Sequence, residues 1–411
     1  MKRSRLLPLL LLALVPAARG AAQLAPSVYQ AISEYFNPDP NAGLTAFRSL
    51  LIPMGGLAEG MGMAYTAVAK DSSYFESNPA ASSGLGQTEL SVFHNNWIAD
   101  TRIEGAVYTI RYKNLGFGAG GKWLYLPFTA YDKYGDREGT GYYSEATAAF
   151  NVSYNFLAGY YFNGLALGAT GKASYRSVPA AIAEAAGNST AAVMVDLGAL
   201  SRFNLLKFYN SREKNFSVGL ALKNLGPPSQ GEPLPTVASF GLAYSPLRPL
   251  LFSLDVSKPI NLVEIAKSER PSYGAGFEVR MTDFFGLHGG FLLKGGNPRL
   301  SVGSSFDIEL VKVVVNYTLD LTTQLTPLNR ISVQASFSLG DLGRAELAKK
   351  VENLYLKGLE AYAGGDSAAA MAAWTEVLKL DSGFDPARES LRAAQGATDL
   401  QKTIEELQKL D

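Results

Sequence analysis

The chain has 411 residues, 47% of them hydrophobic, with 41 glycines, 21 tyrosines and 21 phenylalanines, yet its mean hydropathy is only +0.03. Its 37 basic residues balance 37 acidic ones and are scattered, which leaves no electrostatic footprint for nucleic acid. It contains no cysteine, which excludes disulfides, thiolate metal sites and a lipidated cysteine anchor. Beyond the N-terminus no run of about 20 apolar residues occurs, which excludes helical membrane spans but not a barrel, whose lipid-facing residues alternate with polar ones.

Lys2, Arg3 and Arg5 precede an apolar stretch from Leu6 to Val15 interrupted only by Pro8. Pro16, Ala17, Ala18, Gly20, Ala21 and Ala22 follow as a small-residue cleavage region. This is the pattern of a secretory signal peptide, and the stretch is too short to span a bilayer. Residues 1–22 are therefore expected to be removed on export.

Residues 23–86 are expected to form a plug. Gly43 to Gly86 holds Gly60-Met61-Gly62-Met63-Ala64-Tyr65 and Asn78-Pro79-Ala80, without clean alternation. Glycines at this density suit a chain folded against itself in a tight space. Met54, Met61, Met63, Tyr65, Tyr74 and Phe75 argue for burial.

From residue 87 to 340, segments of about ten residues alternate apolar and polar between turn residues, the period-two signature of strands. In the last segment Arg330, Ser332, Gln334, Ser336 and Ser338 face one way, and Ile331, Val333, Ala335, Phe337 and Leu339 the other. The predicted cores are 87–95, 103–113, 116–126, 142–155, 164–176, 190–203, 215–224, 237–245, 249–258, 272–280, 285–294, 299–307, 310–320 and 330–339. About fourteen antiparallel strands form an even-numbered all-β transmembrane barrel. With both termini in the periplasm, short links such as Lys113 to Gly116 and Asp307 to Glu309 fall in the periplasmic set. Long links such as Ser177 to Ser189 and Pro259 to Pro271 fall in the external set. Two links break the rule: Asn204 to Lys214 is long for a turn, and Gly295 to Pro298 is short for a loop. Trp97, Trp123, Tyr125, Tyr142, Tyr143, Tyr160, Tyr161 and Phe162 fall near strand ends, as interface girdles do.

Residues 341–411 switch to helix formers and predict a small C-terminal α-helical domain, in the periplasm by strand parity. Helices are expected over 345–363, 366–380, 386–394 and near 400–410, with Gly364-Gly365 as a break and Asp366 as a cap.

The segment holding Gly60, Gly62, Asn78, Pro79 and Ala80 resembles the N-terminal hatch of FadL-type outer-membrane transporters. The type IX secretion barrel proteins (PorV/PorQ) have a similar opening. The resemblance spans about 300 residues and implies a fourteen-stranded barrel that passes long-chain fatty acids or other hydrophobic molecules through the outer membrane. In that family a kinked third strand opens toward lipid. Here Gly116, Gly118, Gly120 and Gly121 fall in the third predicted strand, where a lateral opening or packing against the hatch are the two readings. The tail, with Gly358, Gly365-Asp366 and Ala370-x3-Trp374, resembles one tetratricopeptide repeat. It departs from that pattern at Leu354, Ala361 and Ser382.

No catalytic site, metal site or cofactor is expected. His94 and His288 are the only histidines, and no nucleophile–base spacing accompanies them. The glycines from 116 to 121 lie inside a strand without a following helix, so they are no dinucleotide loop. Arg111, Lys122, Lys172 and Arg176 fall on predicted inward faces and are candidates to meet an acidic head group. The expected partners are outer-membrane lipid, a hydrophobic small molecule and a periplasmic protein on the tail. The expected function is passive transport of hydrophobic molecules, the alternative a secretion-associated or scaffold barrel working through its tail.

Overall fold

The computed structural model describes residues 26–98, 100–178, 189–322 and 330–408. The signal segment lies outside the described residues. Fourteen strands close into one antiparallel barrel in which each pairs with its sequence neighbours and the first with the last. They are β1 (Glu89–Asn96), β2 (Arg102–Tyr112), β3 (Leu115–Tyr131), β4 (Arg137–Phe156), β5 (Leu165–Ser177), β6 (Thr190–Phe203) and β7 (Phe216–Leu225), then β8 (Thr236–Leu247), β9 (Leu250–Ile260), β10 (Ser272–Arg280), β11 (Phe285–Lys294), β12 (Asn297–Ile308), β13 (Val311–Asp320) and β14 (Arg330–Ser338). The fold class and strand count expected from alternation are those observed.

Alternation sets which face is which. On β4, Asn151, Ser153 and Asn155 are buried in the lumen, while Phe150, Val152, Tyr154 and Phe156 stand exposed on the outer wall. On β14 the inward set of Arg330, Ser332, Gln334 and Ser336 is buried likewise. An apolar outer wall around a polar interior needs hydrocarbon outside it, and closure leaves no strand edge unpaired in that medium. β3 and β4 are longer than alternation predicted and stand as a tall hairpin with a short turn at 132–136.

The lumen is filled by residues 44–88. A 3-10 turn (Arg48–Leu51), α2 (Gly56–Gly60), α3 (Tyr74–Ser77) and a second 3-10 turn (Pro79–Gly84) follow one another inside the barrel. Before them α1 (Pro26–Phe36) and residues 37–43 reach the rim farthest from the start of β1. There the Asp39 amide donates to Gly295 O at 2.9 Å and the Arg270 amide to Asp39 Oδ2. The described N-terminal residues therefore sit at the rim opposite the end of β14, which differs from an arrangement with both ends at one rim. The chain reaches β1 only after running the length of the lumen.

After β14 the chain forms α4 (Arg344–Ala363), α5 (Ser367–Leu380) and α6 (Asp385–Gln408). Asp366 caps α5 by accepting from the Ala369 amide at 2.9 Å. Trp374, 1% exposed, packs where a Cβ at Gly358 would stand, and a buried cluster with Val351, Val377 and Phe384 surrounds it. The tail leans on the barrel. Arg344 donates to Arg111 O and Gly86 O at 2.7 Å, Arg212 pairs with Glu352 at 2.7 Å, and the Tyr160 ring meets Phe384 at 5.0 Å. Trp374→Ala should cost the helical tail about 3–5 kcal/mol, since a fully buried indole is removed beside a glycine that cannot refill the space. Limited proteolysis should then cut the tail faster while heat-modifiable gel migration of the barrel stays unchanged. Unchanged tail protection would show that this cluster does not hold the helices.

Candidate functional site: the plugged lumen and its cavity

The hatch is seated in notches of the inner wall. A Cβ at Gly168 would overlap the Pro79-Ala80 backbone and one at Gly198 the Asn78 and Pro79 side chains, while those at Gly276 and Gly290 would overlap Met61 and Gly62. Within the hatch, a Cβ at Gly60 would run into His288 and Asn316, and Gly62 has a φ of +63° against the Phe291 backbone. These glycines are therefore space on both sides of one contact.

Hydrogen bonds fix the register. Asn78 Nδ2 donates to Thr66 O at 2.8 Å and to Ala199 O at 3.0 Å, while Oδ1 accepts from the Ala80 amide at 3.1 Å. Asp255 Oδ2 on β9 accepts the Tyr65 and Thr66 amides at 3.1 and 2.9 Å. Ser82 and the Ser83 amide meet Asn151 and Ser153 on β4 at 2.6–2.7 Å. Asp71 accepts from Tyr65 at 2.8 Å and pairs with Lys312 at 3.2 Å, and Lys70 pairs with Glu278. His288 bonds Asn316 at 2.6 Å, and His94 bonds Glu104 at 2.8 Å.

Between the hatch and the barrel wall lies a cavity of about 130 Å³. Leu50, Ile52, Met54 and Phe75 supply apolar wall, while Lys122, Lys172, Lys223, Lys294, Arg299 and Arg330 supply cations. Lys122 pairs with Glu76 at 2.6 Å and Lys172 with Asp196 at 2.5 Å. Among the described residues, Lys223 reaches only the Glu76 carbonyl, at 3.1 Å.

Of the four candidate cations, the structure brings Lys122 and Lys172 into this cavity and leaves two outside. Arg111 sits at the tail rim and donates to Lys113 O at 2.7 Å and Leu85 O at 3.4 Å. Arg176 sits at the opposite rim, 3.4 Å from Glu232 and Gln230 and over the Phe47 ring. The third-strand glycines form no opening. β3 pairs without interruption with β2 and with β4 through this stretch. Cβ atoms at Gly116 and Gly118 would strike Ser82–Ser83 and Tyr74 of the hatch, and at Gly120 and Gly121 the neighbouring strand backbones.

The barrel wall is irregular elsewhere. Between Leu222 and Leu225, β7 carries two residues, Lys223 and Asn224, opposite Asp196 alone on β6. Asn224 has a φ of 57°, its amide donates to Asp196 Oδ1 at 2.7 Å, and its side chain accepts from Lys172 at 3.0 Å. An apolar groove lined by Phe150, Val193, Val195 and Leu225 lies here, and it shares Ala149 and Lys172 with the cavity.

Sequence reasoning missed Lys223, Lys294, Arg299 and Arg330 as site residues, although alternation had put Arg330 on an inward face. It also assigned Trp97 to a membrane girdle. Trp97 instead turns inward, with the Arg330 guanidinium 3.8 Å from its ring centre. Tyr160 and Tyr161 serve the tail, Tyr161 donating to Glu389 at 2.9 Å.

A closed, even-stranded barrel with an apolar outer wall and a plugged polar lumen is the outer-membrane class of protein. Residues 24–341 match the model of UPF0164, an uncharacterised protein family, and the chain belongs to that family. One UPF0164 protein of Treponema pallidum (strain Nichols) is 30% identical over 86% of this chain and 83% of its own length. A second from the same organism is 27% identical over 87% of this chain and 76% of its own. Among solved structures, the Pseudomonas putida toluene transporter TodX is similar, at 12% identity and a TM-score of 0.48, over 68% of this chain and 95% of that one. A Pseudomonas aeruginosa FadL homologue is similar at 8% identity and a TM-score of 0.41, over 68% and 97%.

Asn78→Ala should strand the Thr66 and Ala199 carbonyls and the Ala80 amide in a buried site, at about 1–3 kcal/mol per unsatisfied group. In planar bilayers the variant should show higher or noisier ion conductance than the parent as the hatch loosens. An identical conductance trace would mean that Asn78 does not secure the plug.

Proposed function

We propose that this barrel carries small hydrophobic or amphiphilic molecules passively across the bacterial outer membrane. The observation that carries the reading is the cavity, part apolar and part cationic, held between hatch and wall. Sites that take small molecules are concave and largely apolar, with a few convergent polar groups. An open water-filled porin fits poorly with a lumen occupied by residues 44–88.

A long-chain fatty acid is several times larger than this space, because an apolar cavity of about 150 Å³ accommodates one benzene. Passage of such a chain therefore needs the hatch to shift. The glycine cluster of β3 supports hatch seating, and we draw the lateral exit at the β6–β7 irregularity instead. There the cavity and an outer apolar groove share Lys172 and Ala149. No energy source is needed for flow down a gradient.

The tail supports a second reading, a scaffold. Leu400, Ile404 and Leu407 stand exposed at i, i+4 and i+7 on α6, one face of a helix. We place this tail in the periplasm and the Asp39 rim outside. A tag on the C-terminus should be unreachable in intact cells and reachable once the outer membrane is permeabilised. Labelling of intact cells would invert the topology.

Liposomes containing the barrel should take up a radiolabelled benzene-sized solute faster than empty liposomes. Deleting residues 43–86 should raise ion conductance as well. Uptake equal to that of empty liposomes would remove the transport reading and leave the scaffold.

A further inference from the structure

We infer that the cavity holds a selective site for a small organic monocarboxylate of about benzoate size, built at the Asp39 rim by Trp97, Lys294, Arg299 and Arg330. The inference names the ligand class for the transport reading above and rests on that same cavity. It is carried by an unfinished hydrogen-bond shell around a buried arginine.

Lys294 ends β11, Arg299 is the third residue of β12, Asp320 ends β13 and Arg330 opens β14. Arg299 and Asp320 face one another in the β12–β13 register, and Arg330 stands across from Thr318 in the β13–β14 register. The four side chains therefore gather on neighbouring strands at one level of the lumen. Asp320 is their shared anion, 2.9 Å from Arg330 Nη2 and 3.4 Å from Arg299 Nε. Trp97, from the β1–β2 link, backs both guanidinium groups, at 3.8 and 5.5 Å. Stacking covers a guanidinium face and leaves its N–H groups free to donate.

Arg330 is only 2% exposed, and its Nε and Nη1 have no hydrogen-bond partner among the described residues. A buried arginine left with free donors is costly, and an oxygen acceptor relieves that cost. Lys294 Nζ, also in the cavity wall, donates to the Leu51 carbonyl at 3.4 Å and is within 4 Å of no carboxylate among the described residues. The hatch contributes one opposing charge, Glu59. Its oxygens accept from Asn95 at 3.1 Å and Thr318 at 3.2 Å. Asp320, Glu59 and Glu269 thus balance the three cations in number, and what is left open is the donor set of Arg330. A single carboxylate supplies the missing acceptor.

The other wall sets the rest of the ligand. Leu50, Ile52, Met54 and Phe75 line the same cavity, whose volume of about 130 Å³ is close to the roughly 150 Å³ that takes one benzene. A carboxylate on a six-carbon body places its oxygens toward Arg330 and its body against these side chains.

Isothermal titration of the purified full chain in detergent tests this with benzoate, benzyl alcohol and inorganic phosphate. Benzoate should bind at least tenfold more tightly than benzyl alcohol, and phosphate should not displace it. Arg330→Gln should lower benzoate affinity at least tenfold and leave benzyl alcohol unchanged, with partial recovery in Arg330→Lys. Lys294→Met, which breaks no ion pair and so keeps the barrel intact if Arg330→Gln fails to fold, should lower benzoate affinity severalfold. Equal binding of benzoate and benzyl alcohol, displacement by phosphate at equal affinity, or indifference to both substitutions would each overturn the site. Liposome uptake separates the two readings. Solute uptake without carboxylate preference sinks this site and keeps transport. Carboxylate preference without uptake keeps the site and sinks transport.

Discussion

The fit of the hatch backbone against a glycine-notched, hydrogen-bonding inner wall is the contact on which the other features rest. Asn151, Asp255 and Asn316 are buried where the wall meets the plug, and there a missing partner costs about 1–3 kcal/mol apiece. The hatch supplies those partners from its own amides, carbonyls and hydroxyls, and it is fixed by them in return. Removing either side strands the other. Because many such bonds act together, the plug can leave the lumen as a unit only at great cost. Local shifts around the cavity are cheaper, and any permeation consistent with this packing uses them.

The same threading explains the two links that defy the rule of short turns at one rim and long loops at the other. The link after β11 is only Gly295-Gly296, both with positive φ, and the N-terminal segment sits on it through the Asp39–Gly295 bond. The link between β6 and β7 spans 204–215 at the tail rim. Its Arg212 and Lys214 reach Glu352 and the Tyr161 carbonyl, making a ledge beneath the tail. Each exception marks where a terminal segment lies against the barrel. Link length here reflects what covers a rim as well as which side of the membrane it faces.

The barrel was legible because its signal repeats. A period of two sustained through fourteen strands fixes inside and outside residue by residue, and parity fixes the order. The hatch was legible as glycine density and buried aromatics, since those residue types have few other uses in such a run. The site was not legible at the same level. Alternation correctly turned Lys122, Lys172 and Arg330 inward, but it carries no height along the barrel axis. Arg111 and Arg176 also face inward by pattern, yet they end at opposite rims. Trp97 failed for a related reason. A tryptophan beside a strand end suits a lipid interface, and only three-dimensional neighbours reveal an arginine stacked on it. The β3 glycines show how one signal supports two structures, and the hatch contact, long-range in sequence, decides between them.

Charge is divided unevenly around the cavity, and that division bears on direction of flow. On the β5–β7 side, Lys172, Asp196 and Asn224 satisfy one another where the wall is irregular. Those three groups present a closed polar network to a passing molecule, with Lys223 beside them on the Glu76 carbonyl. On the β11–β14 side, Asp320 is shared by two arginines, and Arg330 retains free donors. In the proposed transport, a molecule is held where the hydrogen-bond shell is open and leaves where it is already complete. Tight binding at the second place would slow release without aiding capture. A cavity with its open arginine donors at one wall and a paired lysine–aspartate network at the other therefore suits passage better than one whose cations are unpaired all round.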